Sequence, residues 1–268
     1  MNKLRFWRTV RDAYGFLFAD AWRFVLLSGP WLGALAASEI AMLLVAPFSP
    51  FLAAVIGIIG VIVFEFFGVF AFSVAWHRAI LLGETPRWAL RFGRREWRFC
   101  GYAFVIGLIV AGIGGALVLA LGAAAAGIVT AAGAVGNAAF LLPFAAWFVV
   151  LGLGARLLLA LPAVAVDEPD RLLRTAWQRG RHNSVRLFFG PFVTAIPFFI
   201  IVVGMQLILF PVGTPDLIQR MTEGTSLLGS AILTWLLSAL YFAQAAVTVG
   251  FLSYAYRQIA ATTSRTDA

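Results

Sequence analysis

Six long apolar stretches, at 23–47, 51–76, 99–126, 138–166, 188–212 and 227–256, dominate the sequence and restrict what it can fold into. A helix needs about 20 apolar residues to cross the hydrocarbon core of a bilayer. Backbone groups in lipid must be hydrogen-bonded internally, which leaves helices and closed barrels as spanning structures. The stretches are too long and too uniformly apolar for alternating strands, so the chain is expected to be an all-α integral membrane protein with six transmembrane helices. No connection is long enough to bury a core of its own, and residues 1–268 read as a single polytopic membrane domain. Composition agrees: 62% of residues are hydrophobic and 12% charged, against roughly half and about a quarter in soluble domains.

The small charged fraction is strongly sided. Lys3, Arg5, Arg8, Arg11 and Arg23 precede or open the first span. Arg78, Arg87, Arg91, Arg94, Arg95 and Arg98 lie between the second and third. Arg156, Arg171, Arg174, Arg179, Arg181 and Arg186 lie within the end of the fourth or before the fifth, and Arg257 and Arg265 follow the sixth. The opposite face has Arg220 alone. Lys and Arg accumulate on the cytoplasmic side, so both termini are expected in the cytoplasm. Ala34-Leu35-Ala36 after an apolar run imitates an export-signal cleavage site. The basic region before it exceeds twenty residues and the apolar run continues to Pro47, so an uncleaved span is expected.

Each basic connection reads as an amphipathic interfacial helix leading into a span. In the first, occupying 1–22, Trp7, Val10, Tyr14 and Leu17 form an apolar stripe while Arg8 and Asp12 make an i,i+4 pair on the other face. The second is expected to open on Thr85 as N-cap with Pro86 at its first helical position. The third is expected to open on Asp167 as N-cap, with Asp170 three residues on, and to stop at Gly180. The junctions Trp22-Arg23-Phe24, Trp97-Arg98-Phe99 and Val185-Arg186-Leu187 repeat one plan. Two accounts fit this threefold pattern: an internal repeat of interfacial helix plus hairpin, or the shared demands of entering a bilayer. Basic amphipathic helices with boundary Trp anchor proteins at anionic interfaces. His77, Arg78, Arg91, Arg95, Arg98, Arg179, Arg181, His182 and Arg186 are therefore the candidates for binding anionic lipid headgroups.

Charge at bilayer depth is expensive and marks a functional candidate. Glu65 lies eleven residues before Trp76 and Arg156 eleven before Asp167. At 1.5 Å per residue both fall ~16 Å from the inner end, and equal depth with opposite sign predicts an intramembrane ion pair. Glu39 is expected near the outer aqueous face. Thr234, Ser238, Tyr241, Gln244 and Thr248 form a polar stripe on the sixth span that must face the bundle interior or a wet cavity. Gly107, Ala111 and Gly115 offer a small-residue face on the third span, and Pro191, Pro197 and Pro211 predict a kinked fifth.

Nothing in the sequence has the spacing of a metal site, a nucleotide loop or a hydrolase elbow. Cys100 is the single cysteine. No cofactor, no metal and no catalytic residue is expected, and the charge distribution points to membrane lipid rather than nucleic acid as partner. A protein partner or a second copy of the chain stays open.

Arg156 with Leu161-Pro162-Ala163-Val164-Ala165-Val166-Asp167, Ala176-Trp177, Arg179-Gly180-Arg181-His182-Asn183 and Arg186-Leu187, together with Trp76-His77-Arg78 and Gly83-Glu84, resembles a broad group of bacterial six-span membrane proteins. The group is related to the membrane domain attached to some glycerophosphodiester phosphodiesterases and to the YciC-like inner-membrane proteins. The resemblance implies a protein of the bacterial cytoplasmic membrane. It does not reach a catalytic phosphodiesterase domain and transfers no enzymatic activity. The expected function is non-enzymatic engagement of anionic lipid or a partner in envelope homeostasis. The alternative is a small-solute or lipid transporter built on Glu65, Arg156 and the stripe of the sixth span.

Overall fold

Ser49 accepts a hydrogen bond from the Leu52 N–H at 3.3 Å and Pro50 takes the first helical position, so the chain re-enters a helix directly after the turn that closes the first span. The structure is a computed structural model that describes residues 3–84, 90–132, 141–168, 172–209 and 227–263. Helix α1 (Phe6–Ala19) is followed, after a bend at Asp20, by α2 (Ala21–Val45). The helix Pro50–Leu82 is continuous but not uniform, with α3 (Pro50–Gly60) and α4 (Gly68–Leu82) joined by a π-helical stretch over Val61–Phe67. Gly83, in the left-handed conformation at φ 70, ends it and returns its N–H to the Ala79 carbonyl. The remaining helices are α5 (Arg94–Ala132), α6 (Leu141–Gly154), α7 (Ala160–Ala165), α8 (Leu172–Gly180), α9 (Ser184–Leu209) and α10 (Leu227–Thr263). Among the described residues there is no strand.

Six helical stretches are long and apolar enough to cross a membrane: Ala21–Val45, Pro50–Leu82, Arg94–Ala124, Ala145–Ala165, Ser184–Met205 and Ala231–Ala261. The six-span, all-α expectation therefore holds, with different ends. Helix α5 begins at Arg94 rather than at residue 99, because Arg94, Arg95 and Arg98 form its first turns. Residues 90–93 are not helical, and the expected Thr85 cap with Pro86 lies outside the described residues. The fourth span breaks at Ala155 and Arg156 and resumes through a 3₁₀ turn at Leu157–Leu159 before α7. Helix α9 continues through Pro191 and Pro197, while Pro211 lies outside the described residues. Residues 133–140, between the third and fourth spans, do so as well.

Helix α10 lies at the centre of the packing and touches α1, α2, α4, α7 and α9. Its inner residues Phe242, Ala246, Val247, Phe251 and Ala255 are fully buried. Hydrocarbon is as apolar as leucine, so helices in lipid are held by close van der Waals fit rather than by a hydrophobic drive. The fit is made by small residues opposite large ones. Gly68 lies against the Trp31 indole, Gly114 against Trp147, Gly190 against Phe251 and Gly154 against Val110. The face expected from Gly107, Ala111 and Gly115 is not the one used: a methyl at Gly107 or Gly115 would meet open space. Four-residue spacing identifies a face of small residues, but the neighbours decide which face turns inward.

Helix α1 packs one face against the other helices. Val10, Ala13 and Leu17 are buried against the bundle, and an added methyl at Gly250 would stand 3.3 Å from the Ala13 Cβ. The Tyr14 hydroxyl donates to the Thr194 carbonyl at 2.8 Å. Only Trp7 of the expected stripe is left exposed, so most of the apolar face meets protein. The Arg8–Asp12 pair is present at 3.8 Å. Glu39, expected at an aqueous face, is 6% exposed, because α2 packs that side against other helices.

Candidate functional site

The arginine-rich ends of the helices come together at one end of the bundle, where two adjacent carboxylates organise them. The chain leaves α7 through Val166 and Asp167, and Asp167 has φ 58, a left-handed conformation that short polar side chains tolerate. This turn points the Asp167 carboxylate at helices distant in sequence. Arg95 donates to Asp167 Oδ2 from Nη2 at 2.7 Å and from Nε at 3.0 Å. Arg78 donates from Nη1 to the same oxygen at 3.2 Å and to the Ala165 carbonyl at 2.9 Å. Arg98 stands 4.0 Å away. The hydrogen bond from Arg95, reinforced by the positive charges of Arg95, Arg78 and Arg98, holds the Asp167 carboxyl below the usual aspartate range.

Arg78 also grips Glu84 with two bonds, at 2.6 and 2.7 Å, the paired geometry that suits a guanidinium and a carboxylate. Glu168 takes the Tyr256 hydroxyl and, at 3.3 Å, Arg179, whose guanidinium lies 5.8 Å from the centre of the Tyr256 ring. Asp167 thus joins α4, α5 and the end of α7, and Glu168 joins α8 to α10. The expectation of Asp167 as an N-cap is overturned: Asp167 is in the left-handed conformation and Glu168 after it is not helical, while Asp170 lies outside the described residues. The stop at Gly180 is where α8 ends.

Several candidates for headgroup binding are occupied within the protein. His77 is fully enclosed between α4 and α10, with Nδ1 2.7 Å from the Ser253 hydroxyl, and a ring so placed does not reach a headgroup. Arg186 donates to the Leu4 carbonyl at 2.9 Å, and Asn183 accepts the Leu4 N–H at 2.9 Å, so the start of α9 pins the N-terminal segment. Arg78, Arg95 and Arg179 serve the carboxylate clamp. Arg91, Arg98, Arg181 and His182 are exposed.

The intramembrane pair is not formed. Among the described residues no ion pair joins Glu65 and Arg156. Arg156 donates from Nε to Ser184 Oγ at 2.5 Å and lies 4.8 Å from the Trp177 ring centre. Gly180 packs on its Cβ and backbone. The break in the fourth span turns Arg156 onto α8 and the start of α9, so counting residues at helical rise misplaces it. Glu65 sits on the π-helical stretch and neighbours Ser238 of α10. The transporter reading loses the pair on which it stood. Because Glu65 and Arg156 share no contact, Glu65→Gln and Arg156→Gln should destabilise additively. A double-mutant cycle read by unfolding in detergent should show a coupling below about 0.5 kcal/mol.

The stripe on the sixth span divides. Ser238 is buried beside Glu65, and Thr248 lies 3.3 Å from the Thr194 hydroxyl of α9. Tyr241 is exposed, and Thr234 and Gln244 are half-buried. Trp235 adds an indole N–H bond to the Leu32 carbonyl at 3.1 Å. These bonds fasten α10 to its neighbours, as polar side chains do between membrane helices. A cavity of about 320 Å³ between α5, α6 and α9 is lined by apolar residues including Gly107, Leu151 and Phe192.

Asp167, Glu168 and Asn183 were not among the candidates drawn from the sequence. Two consecutive acidic residues at the end of an apolar span, in a chain with 20 basic and 12 acidic residues, were the available signal.

A bundle of six membrane-spanning helices, fastened at one end by a carboxylate clamp, defines the class: a polytopic α-helical membrane domain. Within that class the chain belongs to the family described as the membrane domain of glycerophosphoryl diester phosphodiesterase, whose model matches residues 132–267, half of the chain. The match includes Arg156, Asp167, Glu168, α8, Asn183, Arg186 and α10. No curated protein and no solved structure matches the chain.

Proposed function

We propose that the chain is a non-enzymatic protein of the bacterial cytoplasmic membrane that engages anionic lipid headgroups through its arginine-rich end, facing the cytoplasm, in the service of envelope homeostasis. The observation that carries this reading is the division of the cations. One group is neutralised by Asp167, Glu168 and Glu84, while Arg91, Arg181 and His182 stand exposed at the same end, with Arg98 exposed beside them at the edge of the clamp, 4.0 Å from Asp167. Cations held at a membrane surface attract anionic lipid by about 1 kcal/mol each. The clamp supplies a rigid base, and the exposed set supplies the attraction.

The test is lipid enrichment around the full chain in nanodiscs of equal phosphatidylglycerol and phosphatidylcholine, read by native mass spectrometry of the lipid that stays bound. Phosphatidylglycerol should be enriched, and Arg91→Gln, Arg98→Gln and Arg181→Gln together should lower the enrichment several-fold. Equal retention of both lipids by the unaltered chain would remove the reading.

A further inference from the structure

The geometry points to a discrete binding site for one anionic glycerophospholipid at the base of α1, with its phosphate held by Arg5 and Arg8 and an acyl chain laid along α9. The site rests on the lipid reading above but uses none of the exposed cations named there. Two open cavities meet at this point, and Leu4, Arg5 and Arg8 line both.

The first cavity, of about 700 Å³, is an apolar groove between α1 and the start of α9, bordered by Trp7, Val185, Phe189 and Val193. Val185, Phe189 and Val193 recur every four residues, so they occupy one face of α9 and run about 12 Å along it. Trp7 at 72%, Val185 at 66% and Phe189 at 50% are exposed side by side, an apolar strip that leads from the charged end into the span. The second cavity, of about 480 Å³, is more polar than the first and carries Lys3 and Arg257 in addition to Arg5 and Arg8, with Asp12 as its one carboxylate.

Three properties make the junction fit a phosphate. Among the described residues, Lys3, Arg5, Arg186 and Arg257 form no ion pair, and Asp12 meets Arg8 and Arg11 only at 3.8 and 3.9 Å. The cations also gather at the N-terminal end of α1, which has no acidic residue in its first turn and no side-chain cap. That end carries the positive pole of the helix, where cations are unfavourable and an anion is favoured. Finally, the backbone there is fixed from three sides. Asn183 and Arg186 hold Leu4, the Arg5 N–H donates to Gln258 Oε1 at 3.2 Å, and Gln258 donates to Thr9 at 2.9 Å. The Arg5 and Arg8 side chains remain exposed. A fixed backbone presenting two exposed guanidinium groups, Arg5 without an ion pair and Arg8 in only a long contact of 3.8 Å with Asp12, beside an apolar strip matches a molecule that is anionic at one end and aliphatic at the other.

The experiment is a phosphatidylglycerol titration of the delipidated full chain, followed by native mass spectrometry, with unaltered thermal unfolding as the control for folding. One tightly retained phosphatidylglycerol per chain is expected. The Arg5→Gln/Arg8→Gln pair should weaken it about thirtyfold, at roughly fivefold for each charge of about 1 kcal/mol, and Phe189→Asp should abolish it. Arg5→Lys/Arg8→Lys should keep most of it, and the exposed Arg91, Arg98 and Arg181 should not affect it. If the Gln pair stays within twofold of the unaltered chain, the site is wrong. In that case the broader reading still stands if the Arg91, Arg98 and Arg181 changes lower anionic-lipid enrichment. Glycerol 3-phosphate binding as tightly as the lipid, with Phe189→Asp having no effect, would make this a site for a soluble phosphate and overturn the lipid assignment.

Discussion

Replacing Asp167 by Asn should destabilise the helix bundle by about 1–2 kcal/mol and should remove a part of its stability that depends on acid pH. The carboxylate is the common acceptor for Arg95 and Arg78, with Arg98 in Coulombic range. Loss of its charge leaves three arginines facing one another at the meeting of α4, α5 and α7. Charged hydrogen bonds contribute about 1.5–3 kcal/mol when well shielded and exposed ion pairs much less. Arg78 is 15% exposed at its side chain, whereas Asp167 is 40% exposed, and solvent screening therefore places the cost toward the lower part of that range.

The sign of the pH effect follows from the direction of the shift. The folded state holds the Asp167 carboxyl below its ordinary value, so the unfolded chain takes up the proton first as pH falls. The stabilisation is complete above pH of about 4, the ordinary aspartate value, and is lost as the pH falls below it, through the depressed folded value. Unfolding in detergent followed from pH 7 down to pH 3 should show the native chain losing its advantage over Asp167→Asn in that lower window. A constant difference between the two chains down to the lowest pH would mean that the Asp167 charge is not what the arginines are bound to.

The six spans were legible because their signal is local: an uninterrupted run of apolar residues fixes both helix and burial in lipid. Their ends were less so. Arg94, Arg95 and Arg98 were read as an interfacial helix because they are charged, yet nothing between them and Phe99 breaks a helix, and α5 simply starts earlier. Arg156 was misplaced for the converse reason. The turn at Ala155 and Arg156 contains no Gly or Pro of its own to announce it, and helical rise was counted across it. Asp167 shows the limit most clearly. Its neighbours in sequence suit a helix cap, but its partners Arg78 and Arg95 are 89 and 72 residues away, and a contact of that separation leaves no periodic trace. The basic residues of α1 are plain in the sequence, and Arg5, Arg8 and Arg11 are exposed. That they meet an apolar strip from α9 became visible only when the helices were packed.

Replacing Gly190 by Ala should cost about 2–3 kcal/mol, although alanine is the better helix former. The added methyl would enter the space of the Phe251 ring. Gly190 is buried on α9, and Phe251 of α10 is fully buried, with Phe6 of α1 edge-on to it at 5.9 Å. The ring has no free volume to retreat into, so either α9 moves outward or Phe251 pushes on α1. Overpacking of this kind costs about 1–3 kcal/mol. Because van der Waals fit is the main attraction between helices in lipid, the upper part of that range applies. Gly204, fourteen residues further along the same helix, is the internal control, since a methyl there meets nothing within 4 Å. Gly204→Ala should be neutral or stabilising by up to about 1 kcal/mol from helix propensity alone. If the clash is the cause, Phe251→Leu should recover part of the loss in the Gly190→Ala background while being destabilising by itself. Unfolding of the four variants in one detergent would give the coupling directly. Equal stability for Gly190→Ala and Gly204→Ala would show that α9 does not approach α10 at this glycine, and with it the groove between α1 and α9 would lose its wall.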